Sequence, residues 1–228
     1  MTPTAVEFRH VSRIFTSLSG DAVRALDGVS FKVAQGEFIA LSGPSGSGKS
    51  TLMAIAGAID SGFEGSVSLF GAEVRPGDIR QGLKLRRHYM GFIFQNYRLV
   101  ETLTALKNIQ RPLLFRGYGF HQSNKLAREL LEKFGLSEVQ NHRPSELSGG
   151  QQQRVAIART LALDPEIIIA DEPTAALDKA NAGIVHQFLS DQSRAGKTII
   201  LGTHDQDLAR KADRVLTLRN GHLKAAGL

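Results

Sequence analysis

The chain has 228 residues, of which 42% are hydrophobic, contains no cysteine, and carries a net charge of +6. This length suffices for one substantial domain but is short for two independent ones, and the lack of cysteine excludes disulfides and thiolate metal sites. No run of 18 apolar residues occurs and the first residues lack the pattern of a secretion signal, so neither a membrane span nor a leader is predicted. The positive charge fits a nucleotide, a phospholipid surface, a nucleic acid or simply a basic solvated surface.

Strands and one helix are predicted in the first 95 residues. Apolar patterning predicts strands at Val6–Phe15 and Val23–Val33, joined by a short turn at Ser17–Asp21 that favours an antiparallel pair. A helix is expected from Lys49 to about Ala58, directly after a glycine-rich segment. Short apolar runs predict three further strands: Phe38–Leu41, Ser66–Phe70 and Met90–Phe94.

The pattern becomes helical from about residue 96 before strands return. Leu103–Phe115 and Gln122–Phe134 are predicted helices, and a third begins after Ser148 and runs through Arg159. Asn220-Gly221, near the end of the chain, is a two-residue hairpin signal. Short apolar runs predict the strands in between: Ile167–Ala170, Thr198–Leu201 and Arg214–Leu218.

Strands that alternate with helices indicate an α/β fold with a mainly parallel sheet, because parallel strands require crossover connections. The helix-rich stretch interrupts this alternation and is therefore predicted to be an inserted helical subdomain. We predict a single domain over residues 1–228, with a core formed by residues 1–95 and 161–228 and an insert at about 96–160.

Residues 43 to 51 carry the clearest chemical signal. They match G-x-x-x-x-G-K-[ST] between a predicted strand and a predicted helix, which is the pattern of a loop that binds a nucleoside triphosphate. The glycines allow successive N–H groups to surround a polyphosphate, Lys49 adds a positive charge, and Ser50 offers a hydroxyl to Mg²⁺. The predicted nucleotide contacts are the whole segment: Gly43, Pro44, Ser45, Gly46, Ser47, Gly48, Lys49, Ser50 and Thr51.

Two acids follow the predicted strand Ile167–Ala170. Asp171 and Glu172 stand at its carboxyl end, where α/β folds bind their ligands. Asp171 is suited to hold Mg²⁺, and Glu172 to act as the general base for an attacking water. The alternative is a loop that caps the next helix.

A second helix start with anion-binding character lies at Ser148, Gly149, Gly150 and Gln151. Ser148 is a candidate N-cap, and the two glycines leave the N–H groups of the first turn unobstructed. Plain capping explains this segment when it is taken alone. Because it follows the first phosphate-binding loop by more than ninety residues, we predict that it serves a nucleotide held by another copy of the chain.

In order and spacing, these motifs resemble those of ATP-binding-cassette (ABC) ATPases, and the resemblance covers nearly the whole chain. The motifs that carry it are residues 43–51, Gln95, Leu147–Gln151, Asp171-Glu172, Ala175–Asp178 and Thr203–Asp205. Residues 91–97, 142–146 and 151–159 are similar to the branch that serves lipoprotein release, macrolide export and related bacterial mechanotransmission systems. The resemblance implies a phosphate-loop NTPase (RecA-like) core that binds ATP and Mg²⁺ and hydrolyses ATP.

The resemblance also assigns roles to single residues. It places Phe15 where an aromatic ring stacks on adenine, with a core phenylalanine as the alternative; His204 would contact the γ-phosphate and Asp178 would cross a dimer interface. The other six histidines are expected to be surface residues. The implied catalytic set is Lys49, Gln95, Glu172 and His204, and the implied metal contacts are Ser50, Gln95 and Asp171.

The implied partners are a second copy of the chain, in an ATP-bound homodimer, and an integral-membrane permease. Residues Tyr97–Arg116 are the candidate surface for the permease, and the chain would lie peripherally at the cytoplasmic face of a bacterial inner membrane. The alternative function is control of cell division or signalling by the same ATPase without transport. No nucleic-acid partner is expected, because ABC ATPases of that class carry long coiled coils or tandem cassettes, and neither is present in these residues.

Overall fold

The computed structural model describes residues 2–16 and 20–224, so part of the predicted turn at Ser17–Asp21 lies outside the described residues. The strands are β1 (Thr4–Thr16), β2 (Ala22–Ala34), β3 (Phe38–Ser42), β4 (Glu64–Leu69), β5 (Ala72–Val74), β6 (Met90–Phe94), β7 (Ile167–Asp171), β8 (Thr198–Gly202), β9 (Arg214–Arg219) and β10 (His222–Lys224). The helices are α1 (Lys49–Ala56), α2 (Ile79–Tyr89), α3 (Ala105–Phe115), α4 (Phe120–Lys133), α5 (Gly149–Ala162), α6 (Lys179–Arg194) and α7 (Gln206–Ala209), with a 3₁₀ turn at Pro144–Glu146.

The central sheet has six strands in the order β10-β9-β3-β8-β7-β6. Its inner pairs are parallel, and only the β9–β10 hairpin is antiparallel. In the hairpin turn Asn220 and Gly221 both have positive φ, as the Asn-Gly signal requires. β3, β6, β7 and β8 are parallel, so their carboxyl ends share one edge of the sheet. The predicted parallel sheet is confirmed, and this edge is where ligands bind in such folds.

A second, antiparallel sheet has the order β2-β1-β4-β5, which confirms the predicted antiparallel elements at the N-terminal end. α1 lies against both sheets. One cluster of buried residues joins this sheet, α1 and the central sheet, and it includes Phe8, Leu26, Leu52, Ile55 and Ile169. This core holds α1, and therefore the loop before it, at the edge of the central sheet.

The helices of the predicted insert pack around a cluster of their own. Ile109 on α3, Leu131 on α4 and Val155 on α5 are buried in it. Ile157 on α5 instead joins the cluster on the central sheet, so α5 contacts both regions. This packing fits the predicted insert, whose bounds stay a prediction. In the described part of the chain no helix is both long enough and apolar enough to cross a bilayer.

Candidate nucleotide-binding site

A cleft of about 780 Å³ opens at the carboxyl edge of the central sheet. The segments that line it include the loop before α1, the residue after β6, the end of β7 and the residues after β8. The structure therefore brings most of the predicted site residues into one cleft: Ser45, Gly46, Ser47, Gly48, Lys49, Ser50, Thr51, Gln95, Asp171, Glu172 and His204. Segments that are more than 150 residues apart in sequence meet here because the parallel strands end together.

The loop between β3 and α1 has a backbone that only glycine accommodates at two positions. Gly43 and Gly48 have φ angles of 150° and 105°. A Cβ on Gly43 would lie 2.2 Å from the carbonyl oxygen of Leu218, and one on Gly48 would lie 2.3 Å from that of Ala25. Gly48 is also the N-cap of α1 and supplies no side-chain cap. The first N–H groups of α1 are therefore left for another acceptor, and a helix N-terminus favours an anion.

Two buried polar side chains in this loop fit a phosphate ligand. Lys49 is only 7% exposed, and its Nζ donates to the carbonyl oxygens of Gly43 and Pro44 at 2.7 and 3.0 Å. Ser47 Oγ is buried and has no hydrogen-bond partner among the described residues. Leaving such a group unpaired costs about 1–3 kcal/mol, so a ligand that accepts its hydrogen bond would recover this free energy.

Asp171 is the last residue of β7 and Glu172 follows it; both line the cleft, and neither caps the next helix, because α6 is capped by Asp178. Glu172 has a φ of 44° and its N–H donates to the carbonyl oxygen of Gly202 at 2.8 Å. Its Oε2 accepts a hydrogen bond from the backbone N–H of His204 at 3.2 Å. Its Oε1 is buried, lies 3.4 Å from His204 Nε2, and has no hydrogen bond among the described residues. A buried, under-bonded carboxylate oxygen is a suitable acceptor for a proton of water.

The possible metal ligands in the cleft are oxygen atoms: the hydroxyl of Ser50, the amide oxygen of Gln95 and the carboxylate of Asp171. A Cβ on Gly202 would lie 3.3 Å from Asp171 Oδ1, so glycine leaves space beside that carboxylate. No group of three or more His, Cys, Asp or Glu that could hold a metal occurs among the described residues. This donor set fits Mg²⁺, which is usually held by one or two carboxylates together with substrate phosphates and water.

The loop after His204 is anchored by contacts that sequence reasoning missed. Asp205 Oδ2 lies 3.0 Å from His186 Nε2 on α6, and Asp205 Oδ1 accepts hydrogen bonds from the first N–H groups of α7. Burial raises the pKa of Asp205, but the hydrogen bonds from Leu208 N–H and His186 outweigh it, so the net effect lowers the pKa. The expectation that His186 is a surface residue is wrong, because its side chain is largely buried against Asp205.

The loop after Gln95 is likewise held by α5. Tyr97 and Arg98 have φ angles of 52° and 46°, which are uncommon for residues with a Cβ. Arg159 on α5 donates to the carbonyl oxygens of both residues, at 2.8 and 2.7 Å. Burial lowers the pKa of Arg159 to about 10. The backbone beside Gln95 is therefore tied to the helix that begins after Ser148.

Ser148 and Asp178 do not line the cleft of their own chain. Ser148 Oγ accepts a hydrogen bond from Gln151 N–H, and Gln151 Oε1 accepts one from Ser148 N–H. These two bonds form a capping box, with Gly149 and Gly150 between its two residues. Asp178 caps α6 by accepting from Asn181 N–H at 2.8 Å, and this hydrogen bond lowers the pKa of Asp178. Ser148 therefore caps α5, as the plain capping alternative has it, and Asp178 is likewise an N-cap, of α6. The contact of both residues with a second copy stays a prediction.

Phe15 is 43% exposed and belongs to no buried cluster of the described residues, so the alternative that it is a core residue is wrong. It pairs in the β1–β2 register with Val23, which lines the cleft. Phe15 itself is not among the residues that line the cleft, and this strand pairing is its connection to the cleft.

Comparison with known proteins identifies the family. The family model described as "ABC transporter" matches residues 26–175. The chain belongs to the ABC transporter family. This ABC chain is 45% identical over 224 residues to the "Macrolide export ATP-binding/permease protein MacB" of Hyphomonas neptunium, which covers 98% of the chain and 34% of the relative. It thus spans about a third of the length of the MacB relatives.

A second group of relatives is matched over most of its own length. The chain is 42% identical over 202 residues to the "Lipoprotein-releasing system ATP-binding protein LolD" of Zymomonas mobilis, which covers 88% of the chain and 87% of the relative. A solved dimeric structure of the ATP-binding cassette MJ0796, bound to ADP and Pi in a post-hydrolysis state, has a TM-score of 0.90 at 38% identity and covers 98% of the chain and 100% of that cassette. The predicted family and fold are therefore confirmed, and the chain has the ATP-binding cassette of this family.

Proposed function

We propose that the chain is a Mg²⁺-dependent ATPase that energises a membrane permease of the macrolide-export or lipoprotein-release type. The observation that carries this proposal is that the phosphate-binding loop, the acid pair Asp171-Glu172 at the end of β7, and His204 meet in one cleft. The names of the MacB and LolD relatives support the transport role.

In the proposed reaction, Lys49 and the N–H groups at the start of α1 neutralise the phosphates of ATP. Glu172 orients the attacking water and accepts its proton, and the N–H of His204 holds the Glu172 carboxylate in place. Bound Mg²⁺ would neutralise phosphate charge in this site, with Ser50, Gln95 and Asp171 as the residues that hold it. Phosphoryl transfer to water needs positioning and charge neutralisation rather than covalent help, and these residues supply both.

We further propose that two copies pair around ATP, with Ser148, Gly149, Gly150, Gln151 and Asp178 of each copy facing the nucleotide of the other. The dimeric form of the MJ0796 cassette supports this proposal. A two-fold pair of this kind is isologous and produces two equivalent sites.

The proposed permease surface is Tyr97–Arg116, which begins two residues after Gln95. Val100, Leu114 and Phe115 expose large apolar side chains in this segment, and Phe115 is 60% exposed. Exposed aromatic and aliphatic side chains of this kind are frequent in protein interfaces. The chain would then sit peripherally at the cytoplasmic face of a bacterial inner membrane.

Two measurements test this proposal. Purified chain is expected to release phosphate from ATP only when Mg²⁺ is present. It is also expected to co-purify with a multi-span membrane protein from detergent-solubilised membranes, and Phe115→Ser is expected to weaken this association without changing the basal ATPase rate. A chain that hydrolyses no ATP would refute the enzymatic part, and an unchanged association of Phe115→Ser would refute the assigned surface.

A further inference from the structure

The Phe15 ring is in contact with Arg13, which lies two residues earlier on β1. The guanidinium carbon of Arg13 lies 4.1 Å from the centre of the Phe15 ring, well within the range of a cation–π contact. A residue at i+2 on a strand points to the same side of the sheet, which explains why the two side chains meet. Phe15 remains 43% exposed beside this contact, so a flat ligand can still reach its ring.

The guanidinium itself is held in place by Asp60, Ile14 and Gly62. Arg13 Nε donates to Asp60 Oδ2 at 2.8 Å and Arg13 Nη1 donates to the carbonyl oxygen of Ile14 at 2.8 Å. Asp60 Oδ1 accepts from the N–H of Gly62, also at 2.8 Å. A Cβ on Gly62 would lie 3.0 Å from the Arg13 guanidinium carbon, so glycine leaves the space that the guanidinium occupies. Arg13 and Asp60 are both largely buried.

These contacts join the ring to the phosphate-binding helix. Asp60 lies in the loop after α1, and the other end of α1 begins at Lys49 in the phosphate-binding loop. Phe15, Arg13 and Asp60 therefore form a chain of contacts that runs from the β1–β2 pair beside the cleft to the loop that follows α1. An exposed ring without such a link would have to be ordered by the ligand, at a cost to affinity.

We propose that Arg13 is a positioning residue for the base of the bound nucleotide, and that it acts through Phe15 to form an arginine–phenylalanine–base stack. This inference rests on the proposed role of Phe15 as the base contact. It adds that Arg13 holds the Phe15 ring in its binding orientation before the ligand arrives. Arg13 therefore affects binding of the base of the ligand and does not affect binding of its phosphates.

The test compares two ligands that share the phosphate site, ADP and pyrophosphate, by calorimetric titration of the full chain at fixed Mg²⁺. ADP carries the base and pyrophosphate does not. Arg13→Met is expected to weaken ADP binding about two- to fivefold, the size of one exposed cation–π contact, and to leave pyrophosphate binding unchanged. Arg9→Met is the matched control, because Arg9 is on the same strand and is also ion-paired, to Glu7 at 2.8 Å.

A double-mutant cycle decides whether Arg13 acts through the ring. Phe15→Ala alone is expected to weaken ADP binding about fivefold or more, and Arg13→Met is expected to add nothing in that background. The inference is overturned if Arg13→Met leaves ADP affinity unchanged, weakens both ligands equally, or keeps its effect without the ring. If Phe15→Ala binds ADP like the wild type, the proposed base contact itself is wrong and this inference falls with it.

A second variant covers the case in which Arg13→Met does not fold. Arg13→Lys keeps a positive charge within reach of Asp60, but its compact, strongly hydrated ammonium cannot cover the ring as a planar guanidinium does. It is expected to weaken ADP binding by about twofold and to spare pyrophosphate. Wild-type affinity of Arg13→Lys for ADP would overturn the proposal.

Discussion

Replacement of Glu172 by glutamine tests the chemical centre of the proposed site. The side chain is 17% exposed, and its two oxygens have different surroundings. Oε2 accepts from His204 N–H, and an amide oxygen can keep that bond; Oε1 has no hydrogen bond among the described residues and is the atom placed to accept a proton. Glu172→Gln therefore preserves the shape and one hydrogen bond while it removes the basic oxygen.

The expected loss follows from the contribution of a positioned general base. Such a base typically contributes a factor of about 10²–10⁴ in rate, which corresponds to about 2.7–5.4 kcal/mol of the activation barrier. We expect kcat for phosphate release to fall by this factor, while affinity for ATP stays within about threefold because the phosphate-binding loop is untouched. With hydrolysis blocked, an ATP-bound dimer is expected to accumulate, which size-exclusion chromatography with light scattering detects.

The matched control is Glu166→Gln, because Glu166 is exposed and immediately precedes the same strand. It is expected to hydrolyse ATP at the wild-type rate. If Glu172→Gln kept a kcat within about threefold of the wild type, Glu172 would not be the base, and the oxygen that lacks a hydrogen bond would need another explanation.

Three further changes probe other parts of the molecule. Lys49→Ala should abolish measurable ATP binding by calorimetry while the melting temperature without nucleotide stays within a few degrees, and tight binding by this variant would contradict the phosphate contact. Ser148→Arg should prevent ATP-dependent dimerisation by crowding the start of α5, yet leave ADP binding to the monomer nearly intact; loss of monomer binding would argue against a two-copy site. Hydrogen bonds hold the pKa of Asp205 below its ordinary value of 3.8, so the stabilisation by its carboxylate is present above pH 3.8 and is lost as the pH falls through the lowered pKa. Asp205→Asn should therefore melt lower than the wild type at neutral pH, and this gap should narrow below pH 3.8; a gap that does not change with pH would contradict the assignment.

The elements predicted best are those whose signal is local in sequence. Ile167–Ala170 is a run of apolar residues, and the structure has a fully buried strand there that extends by one residue to Asp171. The phosphate-binding loop is similarly local, because its glycines and Lys49 lie within seven residues, from the end of β3 to the first residue of α1. Where a fold element and its chemistry share one short segment, pattern alone predicts both.

α2 and β5 were not predicted from the sequence. α2 is rich in arginine and lysine and buries only Gly82 and Leu85, so charged side chains outnumber the apolar ones that would mark a core-facing helix. β5 has three residues, of which only Val74 is buried. α2 is capped by Asp78, whose side chain accepts from Gln81 N–H, and β5 is held by its antiparallel pairing with β4.

The supporting contacts of the site depend on distances that a sequence does not contain. Arg159 reaches the carbonyl oxygen of Tyr97 across 62 positions, and His186 reaches Asp205 across 19. Each residue type is common, and neither spacing matches a motif. Such contacts exist only after the helices have packed on the sheet, which is why the residues that line the cleft could be predicted from motifs and the residues that hold them could not.

Asn181 links the two segments that are proposed to face a second copy. Its side-chain amide donates to both carboxylate oxygens of Asp178 at 3.0 Å, and its Oδ1 accepts from Arg154 Nη1 on α5 at 3.1 Å. A Cβ on Gly150 would lie 2.4 Å from Asn181 Oδ1, so the absence of a side chain at Gly150 allows this close approach. The start of α5 and the start of α6 are therefore one continuous surface. In the proposed dimer, movement of either segment away from the other copy's nucleotide would carry the other segment with it, so the two contacts should form and break together.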